Sequence, residues 1–276
     1  MSTQRTVTRL VRGLPATDGA GVKLNRVLGT QALPEVDPFL MLDEFRSDDP
    51  QAYIAGFPDH PHRGFETITY MLAGRMRHRD SKGNEGLLGP GDVQWMTTAR
   101  GLVHSEMPEQ EDGLMQGFQL WLNLPAREKM LEPTYKDVPA NTIPVIRHAD
   151  GWLKLLAGRY MGQTGPIQSP TTQPFIADVS LEGGAKLTVP VPADHAGFAY
   201  VFDGEASLNG QAVARGQAAV LSKGDELPIA AGIDGARVLV VLGAALGEPI
   251  ARHGPFVMNT PQEIYQAFAD YQAGRF

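Results

Sequence analysis

The sequence predicts an all-β fold made of two small β-barrels in one chain, on three observations. The 276 residues include 31 Gly and 21 Pro, which punctuate the chain with turns too often for long helices and suit many short strands. The apolar runs between turns are short: Thr67-Ile68-Thr69-Tyr70-Met71-Leu72 stops at Ala73-Gly74, and Val93-Gln94-Trp95-Met96 follows Gly89-Pro90-Gly91-Asp92. The pattern also repeats. Slid by 130 residues, Tyr70-Met71-Leu72-Ala73-Gly74 falls on Tyr200-Val201-Phe202-Asp203-Gly204, and, three residues further along, Pro90-Gly91-Asp92 resembles Lys223-Gly224-Asp225. A chain of this length with 42% hydrophobic residues can bury two ordinary cores.

In chain order, residues 5–12 and 21–28 are expected as two strands joined by the turn Asp18-Gly19-Ala20-Gly21. Phe39-Leu40-Met41-Leu42-Asp43-Glu44-Phe45 follows Asp37-Pro38. Adjacent strand residues face opposite ways, so at most one of Asp43 and Glu44 points inward, and one exposed acid beside one bonded to a loop is expected. In the strand 114–124, Phe118, Leu120 and Leu122 alternate with Gln119, Trp121 and Asn123. One set lines a cavity and the other packs outside; alternation leaves open which. After a single helical turn at Ala126–Met130, Pro133, Pro139 and Pro144 mark a crossing segment. The domain boundary is placed there, giving residues 1–135 and 136–276. Strands resume at 142–147, 152–158 and 175–181 and continue to 238–242. At the tail, Asn259 or Thr260 is the candidate N-cap of a helix with Pro261 near its first turn and Glu263 at its positive end. Ile264, Ala267, Phe268 and Tyr271 recur at helical spacing, so this helix is expected to pack back on the first domain with its Phe and Tyr in the core.

Composition excludes several chemistries. With no Cys there is no disulfide framework, thiolate metal site or cysteine nucleophile. A net charge of −7 argues against direct nucleic-acid binding, which needs clustered Lys and Arg. The first residues show no signal-type apolar core, and no apolar run approaches membrane-spanning length, so a cytoplasmic protein without membrane association is expected.

The chemistry-bearing residues lie between His60 and Glu106. Strand residues two apart share a face, so His60-Pro61-His62 and His104-Ser105-Glu106 can each turn both heads inward. On neighbouring strands the two pairs would form an N/O ligand set for one divalent metal. Glu66 shares the parity of His60 and His62 if no bulge intervenes, so it competes with Glu106 as the carboxylate ligand or serves as a proton acceptor behind it. At the offset of 130, His60 and His62 fall on Pro190 and Pro192, and Glu66 on Ala196. The second half is therefore expected to carry the scaffold without the ligands, with His195 isolated.

The runs Phe57-Pro58-Asp59-His60-Pro61-His62-Arg63-Gly64-Phe65-Glu66-Thr67, Pro90-Gly91-Asp92-Val93-Gln94-Trp95-Met96-Thr97, His104-Ser105-Glu106-Met107-Pro108, Gln119-Leu120-Trp121-Leu122-Asn123-Leu124 and His253-Gly254-Pro255-Phe256-Val257-Met258-Asn259-Thr260 closely resemble pirins. Pirins are two-domain members of the cupin superfamily. The resemblance implies two tandem cupin (jelly-roll-like) barrels with a short C-terminal helix and one metal in the N-terminal cupin. It implies His60, His62, His104 and Glu106 as ligands, which ranks Glu66 behind Glu106. Iron as Fe(II) is the implied ion, with Mn, Ni, Cu, Zn and Co as alternatives.

Bacterial proteins of this type resemble quercetin 2,3-dioxygenases, which open the central ring of a flavonol with O2 and release carbon monoxide. That resemblance implies Glu106 or Glu66 as general base and an aromatic wall of Phe57, Trp95 and Phe118 around a flavonol-like substrate. The alternative is a redox-sensing pirin-type regulator acting through a protein partner, since eukaryotic pirins are associated with transcription factors. A monomer is expected, because two cupin halves in one chain can bury what single cupins bury by dimerising.

Overall fold

The computed structural model describes residues 2–276, in which strands predominate and the one α-helix is Pro261–Gln272. The chain forms two compact units, each assembled from three stretches. One unit comprises Pro15–Arg26, Leu40–Ala140 and Leu246–Phe276; the other takes the chain up to Leu14 together with Val27–Phe39 and Asn141–Ala245. A single cut after residue 135 does not describe these units, and strand pairing explains why at the N-terminal end.

The strand Val7–Arg12 pairs antiparallel with Gln217–Leu221 instead of folding back on Val22–Leu28. Arg5 anchors it there. Its guanidinium is fully buried and donates to the carbonyl oxygens of Gly224, Ser222, Pro192 and His195. A buried cation is tolerable only when its N–H groups are matched in this way. The hairpin expected at Asp18–Gly21 does form, but between Leu14–Asp18 and Val22–Leu28, which are neighbours in a seven-stranded sheet. The unit that holds Arg5 is built on a nine-stranded sheet whose core includes Leu153, Leu155, Phe175, Val201 and Val240.

The other unit contains two larger sheets and a two-stranded pairing of Ala251–His253 with Phe256–Met258. The seven-stranded sheet runs in the order Thr134–Val138, Val93–Thr97, Phe65–Ala73, Met115–Asn123, Phe39–Ser47, Val22–Leu28, Leu14–Asp18. The four-stranded sheet runs Phe57–His62, Leu102–Pro108, Met76–Asp80, Glu85–Leu88. In both, pairing is antiparallel wherever a register is resolved, so side chains alternate between an inner and an outer face.

The two sheets are joined at Arg63-Gly64, where the chain leaves one and enters the other. Gly64 adopts φ +92°, and a Cβ there would overlap the carbonyl oxygen of Val257. Only glycine meets both demands. The corner is held from all sides. Gly64 N–H donates to Ala99 O (2.9 Å), Val257 N–H to Arg63 O (3.0 Å), and the Arg63 guanidinium to Arg100 O (2.6 Å) and Asp270 Oδ2 (2.8 Å). Lys129, 1% exposed, gives its ammonium protons to Gly64 O, Asn123 Oδ1 and Val257 O at 2.6, 2.7 and 3.1 Å. Three donors meet three acceptors.

Asp270, which grips Arg63, lies on the C-terminal helix. Of the two candidate caps, Thr260 is the one used: its hydroxyl accepts from Glu263 N–H, and the Glu263 carboxylate accepts from Thr260 N–H. Ile264 and Ala267 are buried against Phe256 and Met258, with Phe268 partly buried beside them. Tyr271, expected in the core, is 39% exposed because it falls at the edge of that apolar stripe.

Substituting Gly64→Ala should cost roughly 3 kcal/mol, the upper end for one residue forced into a disfavoured backbone region, because the overlapping atom is backbone and cannot turn aside. Urea unfolding of the variant measures it; a midpoint equal to wild type would show that the corner relaxes freely.

Candidate metal centre

Register brings the two sequence pairs together. On the four-stranded sheet His104 lies opposite His60, and Leu102 opposite His62, with a bulge before Glu106. The rings of His60, His62 and His104 come within 4.3 to 5.0 Å of one another, centroid to centroid. One nitrogen from each lies within 4.8 Å of the others, an arrangement that could hold a metal ion. A second such group is His78, His104 and Glu106. Glu106 is 3% exposed, and its carboxylate is held across the inner face by the opposite sheet. Thr69 Oγ1 lies 3.0 Å from Oε1, and Gln119 Nε2 donates to Oε2 at 3.0 Å.

Two of the imidazoles are in the protonation state that metal binding requires. Burial holds His62 and His104 well below the ordinary imidazole range, and neighbouring imidazoles push the same way. Both are therefore neutral at physiological pH and offer a lone pair. Nε2 of His104 is buried with no hydrogen-bond partner among the described residues. A buried polar atom without a partner is costly, and a metal would satisfy it. On these grounds the residues present fit a divalent ion.

A cavity of about 700 Å3 opens onto this group and is lined by His60, His62, Glu106, Phe57, Gln119 and Trp121, among others. Its size suits a planar molecule of two or three rings. In the strand Met115–Asn123 it is the set of Gln119 and Trp121 that faces the cavity, while Phe118 is buried at 1% exposure and lies beside Tyr70. Arg252 lies over the Trp121 ring, 4.9 Å from its centroid. Asp43 also lines the cavity, and both Asp43 and Glu44 are buried, against the expectation of one exposed acid. Arg26 on the strand Val22–Leu28 makes this possible, donating to both carboxylate oxygens of Asp43 at 2.9 and 2.7 Å.

His104 and three other expected site residues are not in that lining. Glu66 would have shared the parity of the histidines had the strand run on, but the corner at Arg63-Gly64 resets the alternation. On Phe65–Ala73 it is Thr69 that faces the cavity, and Glu66 points to the opposite side of the sheet. There it accepts from Trp95 Nε1 (3.0 Å) and Thr97 Oγ1 (2.9 Å). Trp95, held in that bond, and Phe118 are likewise absent from the cavity wall, whereas Phe57 is on it.

Sequence reasoning missed His78. The signal was present: in Met76-Arg77-His78-Arg79-Asp80 the two arginines alternate with Met76, His78 and Asp80, which places those three on one face. Arg77 and Arg79 pair outside with Glu85, and Arg77 also with Glu109.

The pirin profile matches residues 21–122, and the profile of the pirin C-terminal cupin domain matches residues 176–276. A pirin-like protein of Caulobacter vibrioides is 47% identical, with 99% of each chain covered. A Pseudomonas aeruginosa protein named as a candidate quercetin 2,3-dioxygenase is also 47% identical, again over 99% of each chain. The crystal structure of quercetin 2,3-dioxygenase from Acinetobacter baumannii superposes with a TM-score of 0.92 at 32% identity, covering 99% of both chains.

Burial raises the Glu66 carboxyl to about 7. With an ordinary value of 4.5 when unfolded, the folded state binds the extra proton between these pH values, so stability falls as pH rises from about 4.5 to 7. The loss is at most about 3 kcal/mol. Glu66→Gln should remove this slope, so its stability relative to wild type rises across that window in denaturant titrations. Parallel curves for the two proteins would show that Glu66 keeps an ordinary acidity.

Proposed function

The chain belongs to the pirin family, two cupin domains in one polypeptide, and on that premise we propose that it is a metal-dependent dioxygenase of the quercetin 2,3-dioxygenase type. The observation that carries this reading is the placement of His60, His62 and Glu106 on the wall of a cavity large enough for a flavonol, with His104 within metal-binding reach of both histidines and of Glu106. His60, His62, His104 and Glu106 would hold one divalent ion, for which Fe(II) is proposed. Such an ion supplies Lewis acidity and one-electron chemistry towards O2.

The chain's own residues supply the rest. Nδ1 of His60 donates to Pro58 O (2.8 Å), and Nδ1 of His62 faces Pro255 O (3.4 Å), which aims Nε2 of each ring away from the backbone. Each Glu106 oxygen keeps a free lone pair beyond its contact with Thr69 or Gln119. One is available to a metal and the other can take the proton of the flavonol 3-hydroxyl. Trp121 and Phe57 provide flat apolar surface for the rings and exclude water where the proton moves. Gln119 gives one amide hydrogen to Glu106 and keeps a second that can meet a substrate oxygen. The flavonol takes up O2, its central ring opens, and one ring carbon leaves as carbon monoxide.

Metal-free protein reconstituted without oxygen with each divalent metal in turn, then given quercetin and O2, should consume oxygen and release carbon monoxide with one ion per chain. His62→Ala and Glu106→Ala should each lower turnover on the order of a hundredfold or more, the scale expected when a metal site loses its geometry. Metal bound at one per chain, with no oxygen uptake across a panel of flavonols and related enediols, would sink the dioxygenase reading and favour a redox-responsive binding protein.

A further inference from the structure

His60 and His62 are both oriented by groups that can only accept. A carbonyl oxygen has no proton to give, so in the neutral form of each ring Nδ1 carries the hydrogen and Nε2 keeps the lone pair. His104 is different. Its Nδ1 lies 3.4 Å from Nδ1 of His78, and a neutral imidazole nitrogen can either donate or accept. Two proton arrangements satisfy that contact. In one, His104 carries its proton on Nδ1 and bares Nε2. In the other, His78 donates from Nδ1, and the His104 proton sits on Nε2 and covers the lone pair.

The choice is made one group further out. Nε2 of His78 has no hydrogen-bond partner among the described residues, and the nearest charge is Oδ2 of Asp80 at 3.6 Å, an electrostatic contact between side chains that are each 1% exposed. A buried carboxylate favours a proton on the nitrogen facing it, which makes Nδ1 of His78 an acceptor and so places hydrogen on Nδ1 of His104. Asp80 cannot turn away: its Oδ1 accepts the backbone N–H groups of Lys82 and Asn84, and its Oδ2 accepts from the Asn84 side chain. His78 is held flat against Tyr135, with ring centroids 4.7 Å apart and planes at 27°.

We propose that His78, backed by Asp80, is a positioning residue that sets the tautomer of His104 and thereby supplies the third nitrogen of the metal site. The inference rests on the proposed metal site. Its rival is direct ligation by His78, since His78, His104 and Glu106 also lie within metal-binding reach of one another.

The two are separated by His78→Asn and His78→Leu, studied with protein labelled with 15N at histidine, metal-free and loaded with zinc. An asparagine oxygen near the Nδ1 position accepts from His104 without needing Asp80; leucine offers no acceptor. Long-range 1H–15N spectra should show the Nδ1–H form of His104 in metal-free wild type and His78→Asn, and a shift towards Nε2–H in His78→Leu. Zinc affinity, measured by competition with a chromophoric chelator, should fall roughly 10- to 100-fold in His78→Leu and stay within about threefold of wild type in His78→Asn. Near-ultraviolet circular dichroism confirms that each variant is folded. Equal losses in both variants would make His78 a ligand and overturn the proposal. Tight wild-type binding unchanged in His78→Leu would overturn it while leaving the metal site standing, whereas wild-type protein that takes up no zinc would overturn both.

Discussion

The corner at Arg63-Gly64 is the constraint on which the unit holding the candidate metal centre depends. On its upstream side the chain belongs to the four-stranded sheet and presents His60 and His62; on its downstream side it belongs to the seven-stranded sheet and presents Thr69. A corner this sharp leaves backbone carbonyls without ladder partners, and burying them unpaired would be costly. Lys129 pairs two of them with its ammonium, and Arg63 pairs a third. Removing one buried cation would leave several unpaired acceptors, which is why a satisfied buried charge is dangerous to break. Asp270 draws the C-terminal helix into the same arrangement, so the end of the chain helps to fix its first histidine pair.

Two buried carboxylates in this unit show how environment assigns different properties to one side-chain type. Glu106 faces the cavity, and each of its oxygens meets a donor group. Glu66 sits on the other side of the sheet, where Oε1 accepts both of its hydrogen bonds and Oε2 has no partner among the described residues. Desolvation therefore dominates at Glu66 and raises its pKa towards neutrality. A side chain closed off from the cavity has structural consequences for stability with pH, whereas one that opens on the cavity can meet a substrate. Asp43 is a third case: buried on the cavity wall, it is matched on both oxygens by Arg26.

Much of this was legible in the residues. Turn density and the offset of 130 residues between similar runs indicated two β domains, and the alternation in H-x-H and H-x-E identified residues able to share a face. The N-cap, proline and glutamate at 259–263 marked the helix start to within one residue. Parity counting failed at Glu66 because alternation holds only within an unbroken strand, and the glycine corner lies between positions 62 and 65. It also passed over His78, since a single histidine among arginines stands out only once Met76 and Asp80 are counted on its face.

The sequence alone determined which short segments become strands, which residues along each strand lie on a common face, and the family to which the chain belongs, because these depend on local propensity, period-two geometry and recurring motifs. Only the tertiary structure decided which strands are neighbours, that the first strand pairs with Gln217–Leu221, that Gln119 and Trp121 face the cavity while Phe118 does not, and that His78 reaches His104. Those outcomes follow from long-range pairing, in which each alternative satisfies the same local pattern, and the buried polar contacts of Arg5, Lys129 and Arg63 match the arrangement that forms.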